Sequence, residues 1–261
     1  NYGKLQMFDK KIETRESMQR YGVIEGVNFY DIYASMGLYR KAMNQYILTV
    51  GNTIPDNDHL ALARKHNTIG YFLFKDKSAA TAINEFNKAL GYLKIYNNDI
   101  SKQKSDKEIF QSEGLTAEIQ GNIGKSHVLL DENIEAIPFL NESIDILKEF
   151  NYREYKDHII ENSLALAEAH LTLDNNKTAK RLLDEDFNDI NVAQRIQRNR
   201  LLAAYHDKFE NHKSSVRYYK RNQQILDSLK ANELSILNQQ LVAIVGDSDL
   251  QNSRRIINEQ K

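Results

Sequence analysis

Five segments of this 261-residue chain repeat one spacing of small and large side chains, and that spacing restricts the folds open to it. Ala82 is followed by Phe86 and Ala89, with Gly70 twelve residues before it. Ala136 is followed by Leu140 and Ser143, with Gly124 twelve before. Ala42 leads to Tyr46 and Thr49, with Tyr33 nine and Tyr30 twelve residues before it. Ala179 precedes Leu183 with Ala167 twelve before, and Ser215 precedes Tyr219 with Ala203 twelve before. The spacing is that of two antiparallel helices joined by a short turn. Small residues at Gly70 and Ala82 let the two backbones approach, while Ile69, Phe86 and Leu90 fill the space on either side. Ala89, three residues past Phe86 on the same face, leaves room for the first helix of the next unit.

Composition agrees with an all-helical chain. Only Pro55 and Pro138 occur in the whole sequence, and proline is the residue that helix interiors exclude. Hydrophobic residues make up 41% and charged residues 27%, enough apolar surface to fold, and the alternation expected of strands is missing. The formal net charge is −1, so no global field favours nucleic acid or an anionic membrane. With no cysteine there is no disulfide framework, thiolate metal site or cysteine nucleophile. No run reaches the roughly 20 apolar residues that a membrane-spanning helix needs. The start "NYGKLQMF" has neither an initiator Met nor a signal-peptide pattern, which reads as a mature or excised fragment.

The repeated spacing resembles the tetratricopeptide repeat: a small residue in helix A, an alanine opening helix B, an aromatic one turn later and another alanine beyond. The match is best over 63–96 and 117–150, weaker over 23–55 and 196–229, and weakest over 160–190. Tyr30 and Ser215 depart from the expected small residues, and Asp186 takes an alanine position. Successive anchors lie 40, 54, 43 and 36 residues apart, against about 34 in the standard repeat. The resemblance implies an all-α, right-handed α-α superhelix of about five helix-turn-helix units over 23–229. The long interval is read as an insertion near 97–112, made of a helix extension, a loop and an extended start to the next helix. Residues 1–22 are expected to form an N-terminal cap or partial repeat. Residues 230–261 are expected to form a C-terminal helix, either a cap or a stalk. There Leu234, Leu237, Leu241 and Ile244 follow coiled-coil spacing that would also suit a homodimer.

Nothing in the sequence points to catalysis. Nucleophile-elbow, Walker and HExxH motifs are missing, and Gly124 of "GNIG" falls on the small packing position. His127, His170 and His206 share one repeat position, but equivalent positions stand about 10 Å or more apart, too far for one metal ion. They read as packed interface residues. In "YHDKFENH", His206 and Glu210 share a helix face, yet the turn at Asn211 directs His212 elsewhere. Neither a metal site nor a cofactor is expected. The carboxylates Asp184 to Asp189 and the run "RIQRNR" read as solvated charge.

The resemblance implies that stacked A helices line a concave groove that binds a peptide or a segment of another protein. Counted from each small anchor, the groove positions are Asn28, Asp31 and Ser35; Arg64, Asn67, Tyr71 and Lys75; Glu118, Asn122 and Lys125; Glu161 and Glu168; and Gln197, Arg200 and Asp207. Asn67 and Asn122 are suited to a peptide backbone and Lys125 to a carboxylate. A narrower resemblance lies in "SSVRYYKRNQQILDSLKANE", 214–233. Its Tyr218, Tyr219, Lys220 and Leu226–Leu229 are similar to the last repeat of bacterial sensor proteins. In those proteins a tetratricopeptide array precedes a membrane helix and a histidine kinase or LuxR-type output region. That implies a signal-sensing region on the outer face of a membrane. The alternatives are a cytoplasmic regulator that binds a peptide or transcription factor, and an assembly scaffold.

Overall fold

The computed structural model describes residues 8–23, 28–101, 103–150, 153–187, 189–232 and 234. Among these no strand occurs, and eleven α-helices follow one another in antiparallel pairs. Helix α1 (Phe8–Arg20) precedes the pairs α2 (Tyr30–Ser35) with α3 (Tyr39–Thr49) and α4 (His59–Lys75) with α5 (Ala79–Asn98). The next pairs are α6 (Asp106–Leu129) with α7 (Asn133–Phe150) and α8 (Lys156–Thr172) with α9 (Asn176–Asp184). Helix α10 (Val192–Lys208) then pairs with α11 over 212–232. The fold is an α-α superhelix of tetratricopeptide type. The coiled-coil spacing read over Leu237, Leu241 and Ile244 lies outside the described residues.

Each pair is joined by the same turn. The amide of Leu38 donates to the Tyr33 carbonyl at 2.9 Å, Ser78 to Leu73 at 2.8 Å and Glu132 to His127 at 2.9 Å. Asn175 donates to His170 at 2.8 Å and Asn211 to His206 at 2.9 Å. The residue before each donor has positive φ: Gly37 at 75°, Lys77 at 62°, Asp131 at 60°, Asp174 at 59° and Glu210 at 53°. This is the Schellman ending of an α-helix, in which one left-handed residue turns the chain back over the last open carbonyls. Its fivefold recurrence fixes the length of every A-to-B turn, and so the twelve-residue spacing of the small positions.

Helix starts are set locally as well. Asp58 accepts from the Ala61 amide at 3.0 Å to open α4. Capping boxes of Ser105 with Glu108 and Asn191 with Gln194 open α6 and α10, satisfying backbone donors that the first turn leaves free. Between α5 and α6, Lys104 donates to the Asp99 carbonyl at 2.6 Å.

The small positions are helix contacts. Ala42, Ala82, Ala136, Ala167, Ala179 and Ala203 are fully buried, as are Phe86 and Leu140. A Cβ on Gly70 would stand 2.5 Å from the Phe86 ring, and one on Gly124 would stand 2.6 Å from Leu140. Tyr30, where the small residue is missing, packs its ring edge-on to Tyr46 at 5.1 Å and to Phe72 at 6.4 Å. Three apolar clusters run along the array, and each crosses a repeat boundary; Phe86, Ala89 and Leu93 of one pair, for example, meet Ile119 and Ile123 of the next. Burying one such Phe or Leu contributes about 2–3 kcal/mol, so neighbouring repeats stabilise each other. Two features of the later repeats break the pattern. Helix α9 has 9 residues where α5 has 20 and α7 has 18. Tyr219, the counterpart of Phe86 and Leu140, is 51% exposed.

Candidate functional site

Helices α4, α6, α8 and α10 are four of the five A helices, and their facing sides enclose a cavity of about 440 Å³. Helix α4 contributes Phe74 and Lys75 from its last turn, and α6 contributes Lys125, Val128 and Leu129. Glu161, Ala165 and Glu168 come from α8, and Ala193, Gln197 and Arg200 from α10. The walls are therefore charged, over an apolar floor of Phe74, Val128 and Ala165.

Most of the charges are held in pairs between neighbouring A helices. Lys125 Nζ lies 3.1 Å from Glu161, and Arg200 donates to Glu168 at 2.6 Å. Burial pushes the Lys125 ammonium below the usual lysine range, although Glu161 opposes the shift. Burial alone would raise the Glu161 carboxyl, but Lys125, helped by the charges of Lys75 and His158, more than reverses this and holds it below the usual carboxylate range. Tyr71 is pushed up to about 12, first by burial and then by the nearby charge of Glu161 and the proximity of Tyr39 and Glu118. Lys75 stands apart. Its ammonium lies 5.3 Å from the centre of the Tyr71 ring and 5.9 Å from that of Phe74, and it makes no ion pair among the described residues. A cation resting on aromatic faces in the wall of a cavity is available to an anionic group.

The residues expected in the groove thus fall into three places. Lys75, Lys125, Glu168 and Arg200 meet around the cavity, with Tyr71 under Lys75. Asn67 and Asn122 are only 6% and 2% exposed, and their polar atoms face each other. Asn122 Nδ2 donates to Asn67 Oδ1 at 3.2 Å, and Asn67 Nδ2 donates to Glu118 at 2.9 Å, so both side chains join α4 to α6 beneath the groove. Arg64 lies three turns before Lys75 on α4 and reaches Gln111 at 3.4 Å, outside the cavity. Asp31 is engaged by Lys11 at 3.2 Å and Arg15 at 2.6 Å, which tie α1 to α2. The apolar floor is what sequence counting missed. Phe74 and Val128 sit where helical periodicity puts core residues, and only the curvature of the array opens them to the groove.

The aligned histidines pack against the B helices. His127 stacks on Phe139 at 5.7 Å and bonds Glu132 at 2.7 Å, and His206 stacks on Tyr218 at 5.6 Å. His170, lowered by burial and by Arg181, lies 3.5 Å from the Asn175 amide nitrogen. Among the described residues no group of three or more His, Asp or Glu is placed to hold a metal ion, and no helix is long and apolar enough to cross a membrane.

No family model and no curated protein matches the chain. Among solved structures it is similar to the crystal structure of the apo form of RapI, with 17% sequence identity and a TM-score of 0.49. That likeness covers 84% of this chain and 60% of that one, so the chain spans less than two thirds of the structure it matches.

Proposed function

We propose that the chain is a protein- or peptide-binding module that holds an extended peptide in the groove of its A helices, with an anionic group of the peptide on Lys75. The observation that carries this reading is the cavity itself. Four successive A helices place paired charges around an apolar floor, and Lys75 is the one lysine or arginine of that wall in no ion pair among the described residues. Apolar contact on Phe74 and Val128 supplies burial, and the fixed charges supply orientation. The test is selection of a displayed random-peptide library on the immobilised chain. Selected peptides are expected to carry an acidic residue or free carboxylate, and to lose at least tenfold in affinity to a Lys75→Glu/Arg200→Glu variant of unchanged helicity. Peptides that bind this variant as well as wild type overturn the groove assignment.

Within this reading the chain serves as the signal-sensing region of a bacterial two-component or transcriptional regulatory protein, held on the outer face of a membrane. The support is the similarity of Tyr218–Leu229 to the end of such sensor arrays. An alkaline phosphatase reporter placed beside this segment in the full gene product is expected to be active. An inactive reporter there assigns the chain to the cytoplasm.

A further inference from the structure

The short helix α9 leaves part of the solenoid uncovered. In the two preceding pairs the second half of helix B lies against the first half of the next A helix. Leu93 and Leu147, each eleven residues past the opening alanine, are buried there. The matching residue after Ala179 is Ile190, but α9 has already ended at Asp184, and Ile190 lies in the loop before α10. Among the described residues, the start of α10 and the second half of α11 therefore face this loop, whose Phe187 and Ile190 pack on the core, rather than a continued helix B. Between them runs a groove of about 730 Å³ with Leu183, Leu202, Ile225 and Leu229 among its lining residues, and Val192 and Leu229 remain exposed at its edges.

Both walls of this groove carry basic residues. Arg195 and Arg221 line it, and Arg221 also lines a second cavity of about 640 Å³ with Lys213, Arg217 and Lys220. Among the described residues none of these five cations is in an ion pair. Like charges one helical turn apart, as at Lys213, Arg217 and Arg221, repel one another, and an anionic partner relieves that repulsion. Other charges here are engaged. Arg198 donates to the carbonyls of Leu183 and Glu185 at 2.9 and 3.1 Å, and Asp184 is held by Lys180 at 2.5 Å.

We propose that this surface takes an amphipathic helix of a partner protein, apolar on one side and acidic on the other, seated in the groove between α10 and α11 beside the loop that follows α9. The groove suits a helix of about ten residues, or ~15 Å. A recessed apolar floor between two helices cannot be filled by a flat bilayer, and a nucleic-acid backbone would meet the cations but leave that floor empty. Leucines one turn apart fill it, and carboxylates beside them reach Arg195 and Arg221.

The test uses the full 261-residue chain and a fluorescein-labelled synthetic helix with Leu at helical spacing and Glu elsewhere, together with the same peptide carrying Lys for Glu. Fluorescence anisotropy is expected to show the acidic peptide binding at least tenfold tighter than the basic one, and more weakly as salt is raised. Arg195→Glu/Arg221→Glu and, separately, Leu229→Asp should each lower affinity at least tenfold while circular dichroism is unchanged. Lys75→Glu should leave it unaltered, which keeps this surface distinct from the A-helix groove. No binding, or equal binding of the two peptides, overturns the proposal. So does tighter binding of a DNA duplex of matched length, or a wild-type dimer that Leu229→Asp dissociates, since a second copy is then the occupant.

Discussion

Asn122 and Asn67 hold helices α6 and α4 together through one amide-to-amide hydrogen bond of 3.2 Å, buried under the groove and extended to Glu118 at 2.9 Å. Removing either amide leaves its partner's polar atom buried without a bond, which costs more than the bond itself contributes. Asn122→Ala is expected to lower stability by about 1–3 kcal/mol. Asn67→Leu with Asn122→Leu should lose less than the sum of the single changes, because Glu118 can turn to water. Urea denaturation of wild type, Asn67→Leu, Asn122→Leu and the double variant measures the coupling. A single change with no effect on the midpoint would show that this bond does not help join the repeats.

How much of this was legible follows from what repeats and what does not. The array could be read from Gly70, Ala82, Gly124 and Ala136 because a fixed Schellman turn converts three-dimensional contact into constant sequence spacing. Asp186 at an alanine position was also a true signal, since α9 has ended by then and no packing contact is required there. The burial of Asn67 and Asn122 was not legible. Helical periodicity assigns residues to a face, but how closely the next A helix covers that face depends on the curvature of the whole stack. Nor does the spacing reveal that Tyr219 is half exposed, because its role as a knob depends on a neighbour that the spacing does not encode.

The five A-to-B turns give a direct test of the repeat geometry. Only Gly37 is a glycine at the left-handed position; Lys77 and Glu210 hold φ of 62° and 53° with a Cβ present. Neither side chain makes a hydrogen bond or ion pair among the described residues. Lys77→Gly and Glu210→Gly should therefore each raise stability by about 0.5–1 kcal/mol, and Gly37→Ala should lower it by ~1 kcal/mol. Thermal melts resolve these shifts. Destabilisation by both glycine substitutions would mean that the positive φ is not retained in solution.

The helical glycines divide into two kinds. At Gly70 a methyl group would meet the Phe86 ring at 2.5 Å, whereas at Gly91 it would meet nothing within 4 Å. Gly70→Ala is expected to cost about 1–3 kcal/mol through overpacking, and adding Phe86→Leu should recover part of the loss. Gly91→Ala should instead stabilise α5 by up to ~1 kcal/mol, the difference in helix propensity between the two residues. Equal effects at the two sites would contradict the close approach of α4 and α5.

The Lys125–Glu161 pair makes stability depend on pH in two opposite limbs. Glu161 titrates below its unfolded value, so its stabilisation is complete above the ordinary carboxylate pKa and is lost as pH falls through the folded one. Lys125 titrates below its unfolded value because burial disfavours the charge, so that cost is relieved, and stability rises, as pH climbs from the folded lysine pKa toward the usual one. The side chains are 10% and 37% exposed, so the pair lies between a surface bridge and a buried one. Lys125→Met is expected to cost about 1–3 kcal/mol at neutral pH, because it leaves a half-buried carboxylate alone. As pH falls and that carboxyl takes up a proton, the loss should shrink. Lys125→Met with Glu161→Gln should stay within ~1 kcal/mol of wild type at neutral pH and lack the Glu161 contribution to the acid limb. Thermal midpoints measured from acid to alkaline pH check each limb; if wild type and the double variant trace parallel curves, the pair does not set the pH response.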